Sequence, residues 1–74
     1  MTMLSAVGRP LDDLQLYTIP ETMRRLRLGR TSIYEQIRAG RLRTVAQGRA
    51  RRITAGAIAE YIALLEREAE QEVA

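Results

Sequence analysis

The chain has 74 residues and contains no cysteine, histidine or lysine. These absences exclude disulfides, thiolate metal sites and the most common catalytic bases and nucleophiles, so we expect one small domain with no enzymatic activity, bound metal or cofactor. Ten arginines against a single acid, Glu35, give residues 24–52 a net charge of +9, whereas the whole chain carries +3. Because concentrated like charge opposes folding, this basic centre indicates a surface that binds a polyanion.

The N-terminal region shows neither a targeting signal nor a regular element. Met1–Val7 lacks the basic leader and the long apolar run of a signal peptide. No apolar stretch of the chain approaches the roughly 18 residues of a membrane helix, so we expect a cytoplasmic protein without membrane contact. Residues 1–16 are predicted to form a flexible arm, in which Leu11–Leu16 either docks on the core or makes a short helical turn.

A capping box predicts where the first helix begins. Thr18 and Glu21 have the spacing at which the threonine hydroxyl accepts from the third helical amide and the carboxylate accepts from the threonine amide. Pro20 fits the first turn, where its missing N–H has no partner to lose. After a brief extended segment at Tyr17–Ile19, we predict a helix over about Ile19–Arg27. Its inward face consists of Ile19, Met23 and Leu26.

A second helix is predicted directly after a short connector. Gly29 in this connector either serves as the N-cap or adopts a positive φ. The helix runs over about 30–39 with Ile33 and Ile37 facing inward, and Gly40 supplies the stop after its end. Two short helices joined by a tight, glycine-containing turn indicate a helix-turn-helix.

Beyond this stop the apolar spacing changes to that of strands. Leu42 and Val45 are followed by a turn-like segment at 47–50 and then by the run Arg51–Ile53. This order predicts a small β-hairpin with arginines at and beside its tip.

The last predicted helix covers about residues 55–72 and is capped by Thr54. Its predicted inward stripe consists of Ile58, Tyr61, Ile62 and Leu65. Its final turns are acidic, with Arg67 as their one basic residue. These turns are either a solvated helix end or a surface that meets a basic neighbour, such as another copy or a partner protein.

Five short motifs follow one another in these elements. They are Thr18/Glu21, Arg30/Ser32/Ile33/Tyr34, Ile37/Gly40/Leu42, Val45/Gly48/Arg49/Arg52/Ile53 and Ile58/Tyr61/Ile62. Through them, residues 17–62 resemble the small DNA-binding domains of the excisionase and MerR-type helix-turn-helix superfamily. The resemblance implies a mainly α fold with a small β-hairpin, a winged helix-turn-helix. Three positions depart from the family pattern: Arg27 replaces a usual glycine, Gly29 a usual cap such as serine, and Arg51 a frequent aromatic residue.

The resemblance also implies that the second helix enters the major groove of DNA with its N-terminal half leading. Its DNA-contacting residues would be Arg30, Thr31, Ser32, Tyr34, Glu35 and Arg38. Arg30 or Arg38 has the fork that binds guanine O6 and N7, whereas Thr31 and Ser32 are expected to contact phosphate or cap the helix. Glu35 either pairs with Arg38 or accepts from a cytosine amino group. Tyr34 either lies at the rim of the core or turns its hydroxyl to a phosphate.

The hairpin supplies the other DNA contacts that the resemblance implies. Arg49 at its tip suits the adjacent minor groove, and Arg51 and Arg52 would bind the phosphate backbone. The arginines of the first helix either contact phosphate or form a solvated face. They are Arg24, Arg25 and Arg27.

Three units and three roles follow from this interpretation. The units are a flexible arm at 1–16, a DNA-binding domain at 17–65 and an acidic helix end at 66–74. The leading role is a phage or mobile-element excisionase in a bacterial host, which binds double-stranded DNA in several neighbouring copies, bends it, and helps a tyrosine integrase excise rather than integrate. The alternative is a small stand-alone transcriptional regulator of the same fold, and a third is a protein-interaction module that uses the acidic helix.

Overall fold

A computed structural model describes residues 15–73 of the chain, with side chains to residue 72. Within this range three helices and three strands follow one another: β1 (Leu16–Tyr17), α1 (Ile19–Leu26), α2 (Arg30–Arg38), β2 (Val45–Gln47), β3 (Ala50–Thr54) and α3 (Ala55–Val73). The predicted fold class, mainly helical with a small antiparallel hairpin, is confirmed.

The sheet has one strand more than the predicted hairpin. Its order is β1–β3–β2, and both pairings are antiparallel. The added strand is β1, where Leu16 pairs with Thr54 and Tyr17 with Ile53. Residues 1–14 of the predicted arm lie outside the described residues, and Leu16 belongs to the sheet rather than to an arm.

The capping box that begins α1 is formed as predicted. The Glu21 amide donates to Thr18 Oγ1 at 3.2 Å, and the Thr18 amide donates to Glu21 Oε1 at 2.8 Å. This second hydrogen bond holds the pKa of the Glu21 carboxyl below its usual value. The start of the first helix is therefore determined by contacts within four residues of sequence.

The turn between α1 and α2 places its strain at Arg27. The first helix ends at Leu26, one residue earlier than predicted, because Arg27 is left-handed with φ 55° and ψ 43°. Side chains with a Cβ rarely adopt this conformation, which explains why the family usually has a glycine there. Gly29 is the N-cap of α2 in extended conformation (φ −73°), so the first of its two predicted alternatives holds.

The core lies where the two short helices meet β3 and the first half of α3. Its buried side chains are Ile19, Ile33, Leu42, Ile53, Ala57, Ile58 and Tyr61. Thr22 is also fully buried, and its hydroxyl donates to the Thr18 carbonyl at 2.9 Å, so its polar atom is satisfied.

Two of the four residues predicted to face inward from α3 are not buried. The Thr54 hydroxyl caps the helix as predicted, accepting from the Ala57 amide at 2.9 Å, and Ile58 and Tyr61 are buried. Ile62 and Leu65, however, are 43% and 40% exposed. The helix has 19 residues, about 28 Å at 1.5 Å per residue, and it continues beyond the elements that cover its first turns.

Candidate nucleic-acid interface

The second helix, α2, has one anchored side and one exposed side. Ile33 is fully buried and Ile37 packs against the core, so the opposite side of the helix faces outward. The exposed side chains are Arg30, Thr31, Glu35 and Arg38, and Ser32 beside them is half-buried. Five of the six helical residues predicted to contact DNA therefore lie outside the core.

Tyr34 is the sixth, and its position differs from that of the other five. Its ring is half-buried and packs against the core cluster. Its aromatic body therefore belongs to the rim of the core, one of the two predicted alternatives, and it helps hold the outward face of α2 in place.

The end of α2 is fixed by a glycine and a network of backbone bonds. Gly40 has φ 76°, and its amide donates to the Ile37 carbonyl at 3.1 Å, which confirms the predicted stop. The amides of Arg41 and Leu42 both donate to the Gln36 carbonyl, at 3.0 and 3.2 Å. The chain thus leaves the helix in a single defined direction.

The hairpin tip is a two-residue turn. Gln47 pairs with Ala50, so Gly48 and Arg49 alone connect the strands, and Gly48 has φ 62°. A glycine with positive φ in the first turn position is typical of the type II′ hairpin turn, whose twist matches that of the strands. Arg49 therefore projects from a short, well-defined tip, where its side chain is exposed.

The two arginines beside the tip do not share a face. Arg51 and Arg52 are consecutive in β3, and neighbouring side chains of a strand point to opposite sides of the sheet. Arg51 pairs with Ala46 and donates through Nη1 to Thr44 Oγ1 at 2.6 Å, whereas Arg52 pairs with Val45. The structure therefore separates two residues that the sequence places together.

The arginines of α1 also differ from one another. The Arg25 guanidinium lies over the Tyr17 ring, 4.4 Å from its centre, a cation–π contact that ties it to β1. Arg24 is exposed, and Arg27 occupies the strained turn. Arg25 is therefore engaged within the fold, while the other two present their charge outward.

Two further arginines of the basic centre are paired with acids of α3. Arg43 binds Glu60, with Nη2 to Oε1 at 2.7 Å, and Arg41 binds Glu68 through both of its terminal nitrogens. The hydrogen bonding that Arg41 donates to Glu68 raises the pKa of the Arg41 guanidinium and lowers the pKa of the Glu68 carboxyl. Between residues 15 and 73 these are the two ion pairs, so the pair of Glu35 with Arg38, one of the two alternatives for Glu35, is not formed.

Arg41 was not among the predicted site residues, yet it connects the interface helix to α3. Besides binding Glu68, its Nε donates to Gln36 Oε1 at 2.6 Å. The guanidinium thus joins a side chain of α2 to one near the end of α3. Arg41 and Glu68 are 27 positions apart in the sequence, which places this contact beyond the reach of spacing arguments.

Two other features, a metal-binding cluster and a membrane-spanning helix, are not found among the described residues. Within residues 15–73, no group of three or more carboxylates is placed to hold a metal ion. No helix of this part of the chain is both long and apolar enough to cross a membrane.

Comparison with known proteins agrees with this geometry. Residues 16–63 match the sequence model of a family described as a helix-turn-helix domain. A curated protein of Streptomyces ambofaciens named excisionase is 40% identical over 48 residues, which cover 65% of this chain and 77% of that protein. No solved structure matches the chain.

Proposed function

Because the chain belongs to the helix-turn-helix domain family and is a DNA-binding protein, we propose that it acts as an excisionase that prefers certain sequences and bends the DNA it binds. The observation that carries the DNA-binding mode is the exposure of α2, which has a solvent-exposed arginine at each end and a buried isoleucine behind its outward face. The excisionase role is supported by the name of the Streptomyces relative.

In the proposed complex, α2 lies in the major groove with its N-terminal half leading. Arg30 or Arg38 binds guanine in bidentate fashion, which discriminates against other bases by about 1–3 kcal/mol. Thr31 and Ser32 contact phosphate and fix the register of the helix. The Tyr34 hydroxyl points to a phosphate from the rim of the core.

The hairpin acts as the wing of this complex. Arg49 enters the adjacent minor groove, where it responds to groove width and negative potential rather than to base identity. Because Arg51 and Arg52 occupy opposite faces of β3, we assign them to different phosphates. Arg24 and Arg27 add phosphate contacts from the other end of the interface, and Arg25 contributes if it leaves the Tyr17 ring.

The small size of the DNA-binding unit implies that several copies act together. Residues 17–65 form the DNA-binding unit, and several copies bind neighbouring sites because one module contacts too little DNA for strong specificity. Their combined contacts offset the few kcal/mol that bending costs. The bent complex favours excision by a tyrosine integrase in a phage or mobile element, while residues 66–74 stay off the DNA.

A gel-shift titration on DNA carrying repeats of an attachment site tests the binding mode. We expect wild type to give a ladder of cooperative shifts that weakens at higher salt. Arg30→Ala/Arg49→Ala should abolish the ladder, whereas Arg43→Ala/Arg67→Ala, which removes the same charge elsewhere, should retain it. Equal loss in both variants would show that only bulk charge is used.

A recombination assay tests the role itself. The full chain is added to a tyrosine integrase and a plasmid that carries paired attachment sites, and the excised circle is measured. Excision that depends on the chain supports the proposal. Laddered binding without any effect on excision, together with repression from a promoter that contains the same sites, would assign the chain to the alternative role of a transcriptional regulator.

A further inference from the structure

Glu35 occupies the point of α2 that is farthest from the core. It stands two residues from Ile33 and two from Ile37, so it is rotated by about 200° from both inward side chains. Ile33 is fully buried and Ile37 packs on the core, whereas Glu35 is exposed. A helix that presents this face to a groove places the Glu35 carboxylate nearest the groove floor.

The carboxylate is also available for binding. The ion pairs within residues 15–73 are Arg41–Glu68 and Arg43–Glu60, and Glu35 makes no side-chain hydrogen bond in this range. Arg38 lies one turn further along the same face, within reach at i+3. The two side chains nevertheless form no ion pair, so both groups can meet DNA separately.

Few groups in the major groove interact favourably with a carboxylate. It is repelled by phosphates, and it cannot donate to the acceptors that guanine, adenine and thymine expose there. Cytosine is the one base whose major-groove edge presents an amino donor without an adjacent acceptor. An acid at the centre of a reading face therefore opposes binding to most sequences and favours those with cytosine beneath it.

We propose that Glu35 is a specificity-determining residue that selects cytosine in the major groove, an inference that rests on the proposed docking of α2. Arg38, one turn away, then binds the guanine of the same or the next base pair, since guanine offers the two acceptors that its fork requires. Glu35 contributes to specificity as much by weakening the binding of other sequences as by binding cytosine.

Selection from a library of duplexes with a randomised centre tests the proposal. The full 74-residue chain is compared with Glu35→Gln, Glu35→Ala and the control Glu66→Gln, which makes the same change at an exposed acid of α3. We expect the wild-type motif to contain a fixed cytosine position. Replacing that cytosine should weaken wild-type binding about tenfold and binding by Glu35→Ala hardly at all.

The two substitutions should also differ from each other. Glu35→Ala removes an acid that the phosphates repel, so it should bind random duplexes more tightly than wild type while losing the cytosine preference. Glu35→Gln should shift the preference toward adenine, whose paired donor and acceptor match an amide. The motif selected by Glu66→Gln should equal that of wild type.

The outcomes separate this inference from the proposed function. A wild-type motif that survives unchanged in both Glu35 variants overturns the assignment of Glu35 and leaves the DNA-reading role of α2 intact. A wild type that enriches no sequence overturns both. Retained binding of random duplexes by each variant shows that it is folded, so a lost preference is not a lost fold.

Discussion

Arg41 and Glu68 form a two-pronged ion pair that joins the exit of α2 to the last turns of α3, with Nη2 and Oε1 2.8 Å apart. The same guanidinium holds Gln36 of α2 through its Nε. Since α2 carries the proposed reading face, the acidic end of α3 takes part in orienting that face.

The ion pair should matter more for specificity than for affinity. We expect Glu68→Gln to reduce the preference for the selected motif over random DNA, because α2 loses a fixed connection to α3. Binding of random duplexes should stay equal or increase, since an acid is removed. Competition titrations measure both quantities. Glu66→Gln is the matched control, and an equal effect in the two variants would contradict a positioning role.

Acid should weaken the fold through Glu21 and Glu68. The pKa of each carboxyl is held below its ordinary value of 4.5, by the Thr18 amide and by Arg41 respectively. Such groups stabilise the fold above their unfolded pKa, and this contribution is lost as the pH falls through the folded pKa. Thermal unfolding followed by circular dichroism should therefore give a steady Tm down to about pH 5 and a decline below it.

The variant Glu21→Gln/Glu68→Gln identifies the groups responsible for that decline. Its Tm should be lower than that of wild type at neutral pH, and the Tm should fall less on acidification. An acid decline as steep as that of wild type would assign the pH dependence to other carboxyls.

Arginines that are already paired should count little in the salt dependence of DNA binding. Arg49→Ala should reduce the slope of log K against log salt by about 0.9, because a cation in the minor groove releases counterions much as one phosphate contact does. Arg43→Ala removes the same charge, but Arg43 binds Glu60, so the slope should stay near that of wild type. Titrations at several salt concentrations measure both slopes, and equal slopes for the two variants would contradict the assignment.

Replacing Arg27 by glycine should stabilise the protein. A residue with a Cβ is strained at φ 55°, whereas glycine adopts this angle without strain. After the greater freedom of glycine in the unfolded chain is subtracted, the gain should be roughly 0.5–1 kcal/mol in the free energy of unfolding.

Arg27→Ala provides the control for this turn, because it removes the side chain but keeps the strain. It should have the stability of wild type in urea unfolding. If Arg27 contacts phosphate, both variants should bind DNA more weakly than wild type, and to the same extent. A glycine variant less stable than the alanine variant would show that backbone strain at this position is unimportant.

Two isoleucines of α3 should respond very differently to truncation. Ile58 is buried, and Ile58→Ala should cost about 2–5 kcal/mol in the free energy of unfolding. Ile62, one turn later, is 43% exposed, and Ile62→Ala should cost less than about 1 kcal/mol. Urea unfolding measures both, and similar costs would mean that Ile62 is covered in solution.

Features that depend on a few neighbouring residues were predictable. The capping box of Thr18 and Glu21, the stop at Gly40 and the cap at Thr54 all involve contacts within four residues. Such contacts follow from residue type and spacing alone, and the order of the elements follows from them.

Features that depend on distant residues were not predictable. The period of α3 indicates which side of the helix faces inward, but it does not indicate how far the rest of the fold extends along it, so Ile62 and Leu65 were wrongly assigned. For the candidate site, the sequence predicted that Glu35 and Arg38 lie on α2. That these two side chains do not pair, and that Arg41 binds Glu68, depends on contacts in three dimensions that spacing does not predict.

The short hairpin makes the reach of the wing adjustable only in steps. Each strand residue advances the tip by about 3.3 Å, close to the rise of one base pair. Adding one residue to β2 and to β3 would exchange the faces on which Arg51 and Arg52 stand, whereas adding two to each would keep the faces and lengthen the wing by about 7 Å. The reach of the tip arginine from the body of the fold is therefore set by strand length, and with the faces of β3 kept it changes in steps of two residues.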